Sequence, residues 1–204
     1  MSIRGFDTWE DLYKGETAEK MPWYYKELDH DVKAALKTLE QGGKALDLGT
    51  GPGTQAIALA KLGFEVTGTD LSRTAVDKAA ERAAAEDTKV HFSQDDILNS
   101  KLSGPFDLVI DRGCFHVFEP EQRAKYLDAM EGLLGDGSVL LLKCFSHKQP
   151  GDEGPKRLSP DDIRGCFEPR FKVESIEETT FHGTMDEPPK ALFCVIRPGS
   201  SKTQ

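Results

Sequence analysis

The sequence predicts an α/β protein built on one doubly wound, mostly parallel sheet of seven strands, with a single antiparallel strand near the C-terminus. Short apolar runs bounded by Gly or Asp alternate with helical stretches, which is typical of right-handed βαβ units. The last third differs, because two strand-like runs follow one another with no helix between them. A length of 204 residues, 38% of them hydrophobic, is enough for one well-packed globular domain.

Seven apolar runs predict the strands. They lie at 45–48, 64–69, 90–92, 106–110, 139–142, 171–176 and 191–196. Helices are predicted between them from start and stop signals. These signals are Gly63 after the Ala-rich stretch 54–62, Ser72 before 75–85, Pro120 at the start of a helix that ends at Gly135, and Ser159-Pro160 before a last helix. The Gly- and Pro-containing link 177–190 predicts a long hairpin-like connection.

Charge and cysteine content exclude several function classes. Lys and Arg number 26 against 35 Asp and Glu, for a net charge of −9, so phosphate backbones and anionic membranes would repel the chain. No apolar run reaches the roughly 18 residues of a membrane span. The four cysteines lie far apart, which argues against structural zinc and disulfides and predicts a cytoplasmic protein without a bound metal.

The chain divides into three predicted parts: an N-terminal helical lid (1–43), the α/β core (44–197) and a flexible tail (198–204). The first part is unusually aromatic. Its aromatic residues are Phe6, Trp9, Tyr13, Trp23, Tyr24 and Tyr25. They could cover a ligand with their ring faces toward a cation, or they could pin a helix to the sheet by its apolar face.

The strongest functional signal is the segment from Asp47 to Thr54, DLGTGPGT, where a buried strand runs into three alternating glycines and then a helix. Such a loop allows a ligand to approach the backbone closely, although a tight turn with no ligand has the same pattern. A dinucleotide fingerprint would need Gly or Ala where Thr54 stands. Asp47 would repel a pyrophosphate but attract an ammonium group. A nucleoside with a cationic tail, such as S-adenosylmethionine, satisfies both conditions.

Carboxylates at the next strand ends extend this site. Asp70 lies 21 residues after Gly49 and could accept hydrogen bonds from a ribose diol, or instead cap the following helix. After the third strand, Asp96 with the apolar Ile97 is the preferred adenine contact, and Asp95 is the alternative.

The fourth strand ends in Asp111, Arg112 and Gly113, with His116 close behind. Arg112 could bind the carboxylate of the amino-acid tail, or form an ion pair with Asp111 or Asp107. His116 or Asp111 could act as the base for an oxygen acceptor, while a buried, hydrogen-bonded His116 is the favoured alternative.

Together these motifs resemble the class I S-adenosylmethionine-dependent methyltransferases, whose fold is Rossmann-like. Within that class, Trp9, Tyr13, Gly15, Pro22-Trp23 and Asp111-Arg112-Gly113 resemble the thiopurine, thiol/halide and tellurite-resistance subgroup, although Glu16–Met21 is a longer spacer than is usual there. The resemblance implies an N-terminal segment that reaches over the cofactor. The full predicted cofactor-binding set is Trp9, Tyr13, Trp23, Asp47, Gly49, Thr50, Gly51, Gly53, Thr54, Asp70, Leu71, Asp96, Ile97, Asp111 and Arg112.

The implied reaction is in-line methyl transfer, with S-adenosylhomocysteine as product. A small thiol-like or otherwise soft acceptor is the first hypothesis. The alternatives are a protein lysine acceptor, a nicotinamide-dependent oxidoreductase and a non-catalytic nucleotide-binding module. Acceptor-binding residues are expected on 145–157 and 181–189.

Overall fold

A computed structural model describes residues 5–39 and 42–199. Its seven strands form one sheet in the order β3-β2-β1-β4-β5-β7-β6. They are β1 (Lys44–Leu48), β2 (Glu65–Asp70), β3 (His91–Gln94), β4 (Phe106–Arg112), β5 (Leu134–Phe145), β6 (Phe171–Thr180) and β7 (Lys190–Pro198). Only β7 runs antiparallel to its neighbours, β5 and β6. The predicted fold class, including the single antiparallel strand, is confirmed.

Helices cover both faces of this sheet. They are α1 (Trp9–Gly15), α2 (His30–Ala35), α3 (Thr54–Lys61), α4 (Arg73–Ala85), α5 (Pro120–Leu133) and α6 (Pro160–Phe167). The predicted caps form: Ser72 accepts a hydrogen bond from the backbone N–H of Ala75, and Ser159 accepts one from that of Asp162. Within the described residues, no helix is both long enough and apolar enough to span a bilayer.

Neighbouring residues of the central strands pack into different cores. On β4, Val109 joins the larger apolar cluster beneath α5 and α6, whereas Leu108 and Ile110 join the cluster beneath α2 and α3. All three are buried, as expected for a parallel sheet covered on both faces.

The topology predicts a ligand-binding crevice beside β1. This strand pairs with β2 on one side and with β4 on the other, so the strand order reverses here. Ligands of open α/β sheets bind at this kind of reversal, outside the carboxyl ends of the strands. At the other end of the chain, β7 continues through Pro198, and residues 200–204 of the predicted flexible tail lie outside the described residues.

Candidate active site

The glycine loop after β1 has the backbone conformation that its sequence predicts. Gly49, Gly51 and Gly53 have φ values of 66°, 52° and 79°, which residues with a Cβ rarely adopt. Space is restrictive as well, because a Cβ on Gly51 would lie 2.7 Å from the hydroxyl oxygen of Tyr13. The loop therefore makes a compact turn at the carboxyl end of β1, in which Gly49 is exposed and Gly51 and Gly53 are buried.

Two buried carboxylates flank this loop. Asp47 accepts hydrogen bonds from the Thr50 hydroxyl (2.6 Å) and from the backbone N–H of Ala56 (3.1 Å). Asp70 accepts from the backbone N–H groups of Gly51 and Ser72, both at 2.9 Å. Burial raises the pKa of each carboxyl to about 6. Two acidic groups with little solvent suit a cationic ligand, and Ser72 rather than Asp70 provides the side-chain cap of α4.

Asp96 and Asp95, the two candidates for contacting adenine, differ in whether a carboxylate oxygen is left without a hydrogen-bond partner. Both carboxylate oxygens of Asp96 are used within its own turn, by the backbone N–H of Leu98 (3.0 Å) and the side-chain amide of Asn99 (2.7 Å). Asp95 accepts from the backbone N–H of Lys101 with Oδ1, while its Oδ2 is buried without a partner. An adenine amino group would satisfy that oxygen, so the hydrogen bonding favours Asp95. The contacts predicted for Asp96 and Ile97 stay predictions.

Leu71, which follows β2, is 53% exposed and offers an uncovered apolar surface next to Asp70. Thr54 is the last residue of the loop, and its hydroxyl oxygen accepts a hydrogen bond from the side-chain amide of Gln55 at 3.3 Å. Their predicted cofactor contacts also stay predictions.

Asp111 holds the turn after β4. Its carboxylate is fully buried and accepts hydrogen bonds from the backbone N–H groups of Cys114 (2.7 Å) and Phe115 (3.0 Å) and from the Tyr126 hydroxyl (2.8 Å). Burial raises the pKa of this carboxyl to about 6. These contacts fix the direction in which the chain leaves β4.

His116, the other candidate base, is also hydrogen-bonded within the protein. Nδ1 of its buried ring accepts a hydrogen bond from the backbone N–H of Phe145 at 2.9 Å, and its Nε2 faces Gly113. Burial lowers the pKa of this imidazole to about 3, so the ring is neutral. The arrangement matches the alternative of a buried, hydrogen-bonded histidine, and the catalytic roles suggested for Asp111 and His116 stay predictions.

Arg112 joins three segments at the mouth of the crevice. Its Nε donates to the carboxylate of Asp29 (2.7 Å), its Nη1 to the carbonyl of Trp23 (3.0 Å) and its Nη2 to the carbonyl of His182. The alternative reading, an ion pair with Asp111 or Asp107, is wrong in its partner, because Arg112 pairs with Asp29. Whether Arg112 also contacts the cofactor stays a prediction.

The aromatic N-terminal segment packs against α4, with the rings of Trp9 and Trp23 5.8 Å apart, edge to face. Glu10 accepts hydrogen bonds from the hydroxyls of Ser72 (2.7 Å) and Thr74 (2.8 Å), and these bonds lower its pKa to about 2. Further along α4, Lys78 donates to the carbonyl of Tyr13. The segment is thus pinned to a helix and, through Tyr13, also lies over the glycine loop.

Three residues of the site carried no recognisable sequence signal. They are Asp29, Gln55 and Lys143. Lys143 is 1% exposed and contacts both oxygens of Asp29 at 2.9 Å and Oδ2 of Asp31 at 2.7 Å. Asp29, His30 and Asp31 bring metal-ligand atoms within 4.8 Å of one another, but the Lys143 ammonium pairs with both carboxylates and Arg112 adds a second positive charge at Asp29.

A doubly wound sheet with a glycine loop and acidic strand tips defines a nucleoside-binding site, and comparison with known proteins gives its class. The methyltransferase domain family matches residues 45–137. The chain is 35% identical over 119 residues to an uncharacterized methyltransferase of Schizosaccharomyces pombe, covering 56% of this chain and 82% of that protein. It is 30% identical over 175 residues to a probable thiol methyltransferase of Arabidopsis thaliana, covering 83% of this chain and 75% of that one.

A solved structure described as the conversion of a disulfide bond into a thioacetal group during echinomycin biosynthesis is also similar. It has a TM-score of 0.81 and 28% identity, over 93% of this chain and 91% of that one. The chain therefore belongs to the class I S-adenosylmethionine-dependent methyltransferases, near the thiol methyltransferases. Its cofactor is S-adenosylmethionine, which the positive-φ glycine loop, the buried carboxylates and the unpartnered oxygen of Asp95 fit.

Proposed function

We propose that the enzyme methylates a small soft nucleophile, a thiol or a similarly polarisable group. The proposal rests on one observation: both candidate bases, Asp111 and His116, already form hydrogen bonds within the protein. Asp111 and His116 each form structural hydrogen bonds, and the imidazole is held neutral with a low pKa. A thiol needs little assistance, because a few per cent of it is ionised near neutral pH. A phenol, an alcohol or an ammonium acceptor would need a base to remove its proton.

The surroundings of the crevice suit such an acceptor. Phe145 and Phe181 lie at the carboxyl ends of β5 and β6, with their rings 5.5 Å apart, and each lies near the His116 ring, at 5.0 and 5.7 Å. Sulfur makes favourable contacts with aromatic rings. A dry aromatic wall also favours the charge neutralisation that occurs when an anion meets a sulfonium.

Relatives support the same acceptor class. The names of two similar plant proteins specify thiol and thiocyanate methyltransferases. The similar solved structure concerns the conversion of a disulfide into a thioacetal. When bound, the cofactor supplies an electrophilic methyl group, and the chain's task is to orient the two reactants in line, which contributes roughly 7–11 kcal/mol in favourable cases.

The free cysteine thiols support a cytoplasmic location. Cys144 and Cys194 are buried on the neighbouring strands β5 and β7, and both are free, as are Cys114 and Cys166. Two adjacent unpaired cysteines favour a reducing environment, so we place the enzyme in the cytoplasm. The net charge of −9 argues against a nucleic-acid substrate.

Matched acceptors test the proposal. Purified enzyme with radiolabelled S-adenosylmethionine is offered thiophenol and phenol, which have the same shape but differ in the nucleophilic atom, together with lysine-containing peptides. We expect methylation of thiophenol, at a rate that follows the thiolate fraction as the pH changes, and little or none of phenol or peptide. Turnover of peptides alone, or equal rates with phenol and thiophenol, would refute a soft small-molecule acceptor.

A further inference from the structure

We infer that Asp29 is a positioning residue for methyl transfer. Through Arg112, its carboxylate holds the two segments that close over the acceptor side of the crevice. The inference requires only that the chain is a methyltransferase, and it holds for any acceptor.

The first observation is the setting of the carboxylate. Asp29 is fully buried, and its oxygens receive Nε of Arg112 at 2.7 Å and Nζ of Lys143 at 2.9 Å. Burial alone would raise the pKa of Asp29, but the charges of Lys143 and Arg112 hold it below its ordinary value. Asp29 therefore stays ionised and orients the guanidinium by a charge-assisted bond.

The second observation is what the oriented guanidinium does. Its remaining nitrogens donate to the carbonyls of Trp23, in the N-terminal segment, and His182, in the β6–β7 connection. These segments also meet directly, since the backbone N–H and the hydroxyl of Thr184 donate to the carbonyls of Pro22 and Met21, both at 3.1 Å. Arg112, held by the Asp29 carboxylate, thus joins the N-terminal segment and the β6–β7 connection to the end of β4. We call these two segments the covers of the crevice.

The third observation separates this function from cofactor binding. Elsewhere the N-terminal segment is attached to α4 through Glu10 and Lys78, which do not contact Asp29. The backbone N–H of Asp29 is held by the side chain of Gln55 at 2.8 Å, whatever its own side chain. Loss of the carboxylate should therefore loosen the acceptor side while leaving the glycine loop and the Tyr13 contact in place.

The experiment uses Asp29→Asn and, as a matched control, Asp31→Asn. The control makes the same chemical change two residues away and also removes a contact with Lys143, but it leaves Arg112 untouched. For Asp29→Asn we expect kcat/KM for thiophenol to fall about 10- to 100-fold, as is typical when a reacting group is misplaced by an ångström. Calorimetry should give an S-adenosylhomocysteine affinity within about threefold of the unmodified protein, since the bonds that hold Asp47, Asp70 and the glycine loop do not involve Asp29. The control should stay within about threefold in both.

A readout independent of the acceptor completes the test. Both tryptophans of the chain, Trp9 and Trp23, lie in the N-terminal segment, so acrylamide quenching of their fluorescence with S-adenosylhomocysteine bound reports how tightly that segment is held. Quenching should increase for Asp29→Asn and not for Asp31→Asn. If Asp29→Asn does not fold, Asp29→Glu, which keeps the negative charge but displaces the carboxylate that Nε of Arg112 contacts, is measured in its place with the same expectations.

Three results would overturn the inference. They are unchanged quenching and unchanged kcat/KM in a folded Asp29 variant, an equal loss in Asp31→Asn, or a loss of cofactor affinity as large as the loss of kcat/KM. If the unmodified enzyme does not turn over thiophenol, the proposed acceptor is refuted, and the quenching and calorimetry still decide the function of Asp29.

Discussion

Replacing Gly183 with alanine should separate the two covers of the crevice. Gly183 lies in the connection between β6 and β7, and an added Cβ would lie 1.8 Å from the carbonyl oxygen of Pro22. Real Cβ contacts are longer than 3.0 Å, so the two segments must move apart by about 1.2 Å. That movement breaks the two hydrogen bonds from Thr184 to Pro22 and Met21, which stabilise by about 1 kcal/mol each. The free energy of unfolding should fall by about 2 kcal/mol.

Activity should fall further than stability alone explains. With the covers apart, reactants are held less precisely, and we expect kcat/KM for thiophenol to fall about 10- to 100-fold. Urea denaturation and steady-state kinetics measure the two effects. Gly165→Ala is the control, because Gly165 lies inside α6 with nothing within 4 Å of an added Cβ; it should stabilise by about 1 kcal/mol without affecting turnover. Unchanged stability and turnover in Gly183→Ala would refute the close packing against Pro22.

Further predictions concern individual contacts. Because Glu10 has a lowered pKa in the folded protein, its stabilising effect is present above about pH 4.5 and is lost as the pH falls toward 2. Melting temperatures of the unmodified protein and Glu10→Gln should thus differ most at pH 7, and the difference should shrink below pH 4.5 and vanish only near pH 2; a constant difference would contradict this. Asp95→Ala should weaken S-adenosylhomocysteine binding about tenfold in calorimetry, and more than Asp96→Ala; the reverse order would assign adenine to Asp96. Tyr126→Phe should lower the free energy of unfolding by about 1–2 kcal/mol in urea titrations, since Asp111 loses a donor; no change would contradict a structural contact.

The sequence predicted the sheet well because its strands are short, apolar and bounded by glycine. It was less accurate where polar residues enter a strand. β5 was predicted over 139–142 but extends from Leu134 to Phe145. Its first half contains Gly135 and Gly137, which are ordinarily turn signals, and its second half contains a buried Lys143. The lysine is compatible with a core strand because Asp29 and Asp31, 114 and 112 residues earlier, pair with it.

The same limit applies to the site. The glycine loop and Asp70 are local signals, since a strand, a turn and a helix follow one another within a few residues. The partners of Arg112 are not local, because Asp29 and His182 lie 83 and 70 residues away in sequence. Asp29 begins α2 as its N-cap, a common position for aspartate, so nothing in the sequence marks it as an ion-pair residue.

The first turn of α4 depends on a residue that lies more than sixty positions upstream. The backbone N–H of Thr74 donates to the Glu10 carboxylate at 3.1 Å. N–H groups in the first turn of a helix have no carbonyl partner within the helix, so this one depends on Glu10. Shortening the protein from its N-terminus beyond Glu10 would therefore leave an open donor at the start of a core helix, two residues from Ser72 and close to Asp70. Shortened variants intended to preserve activity should therefore keep Glu10.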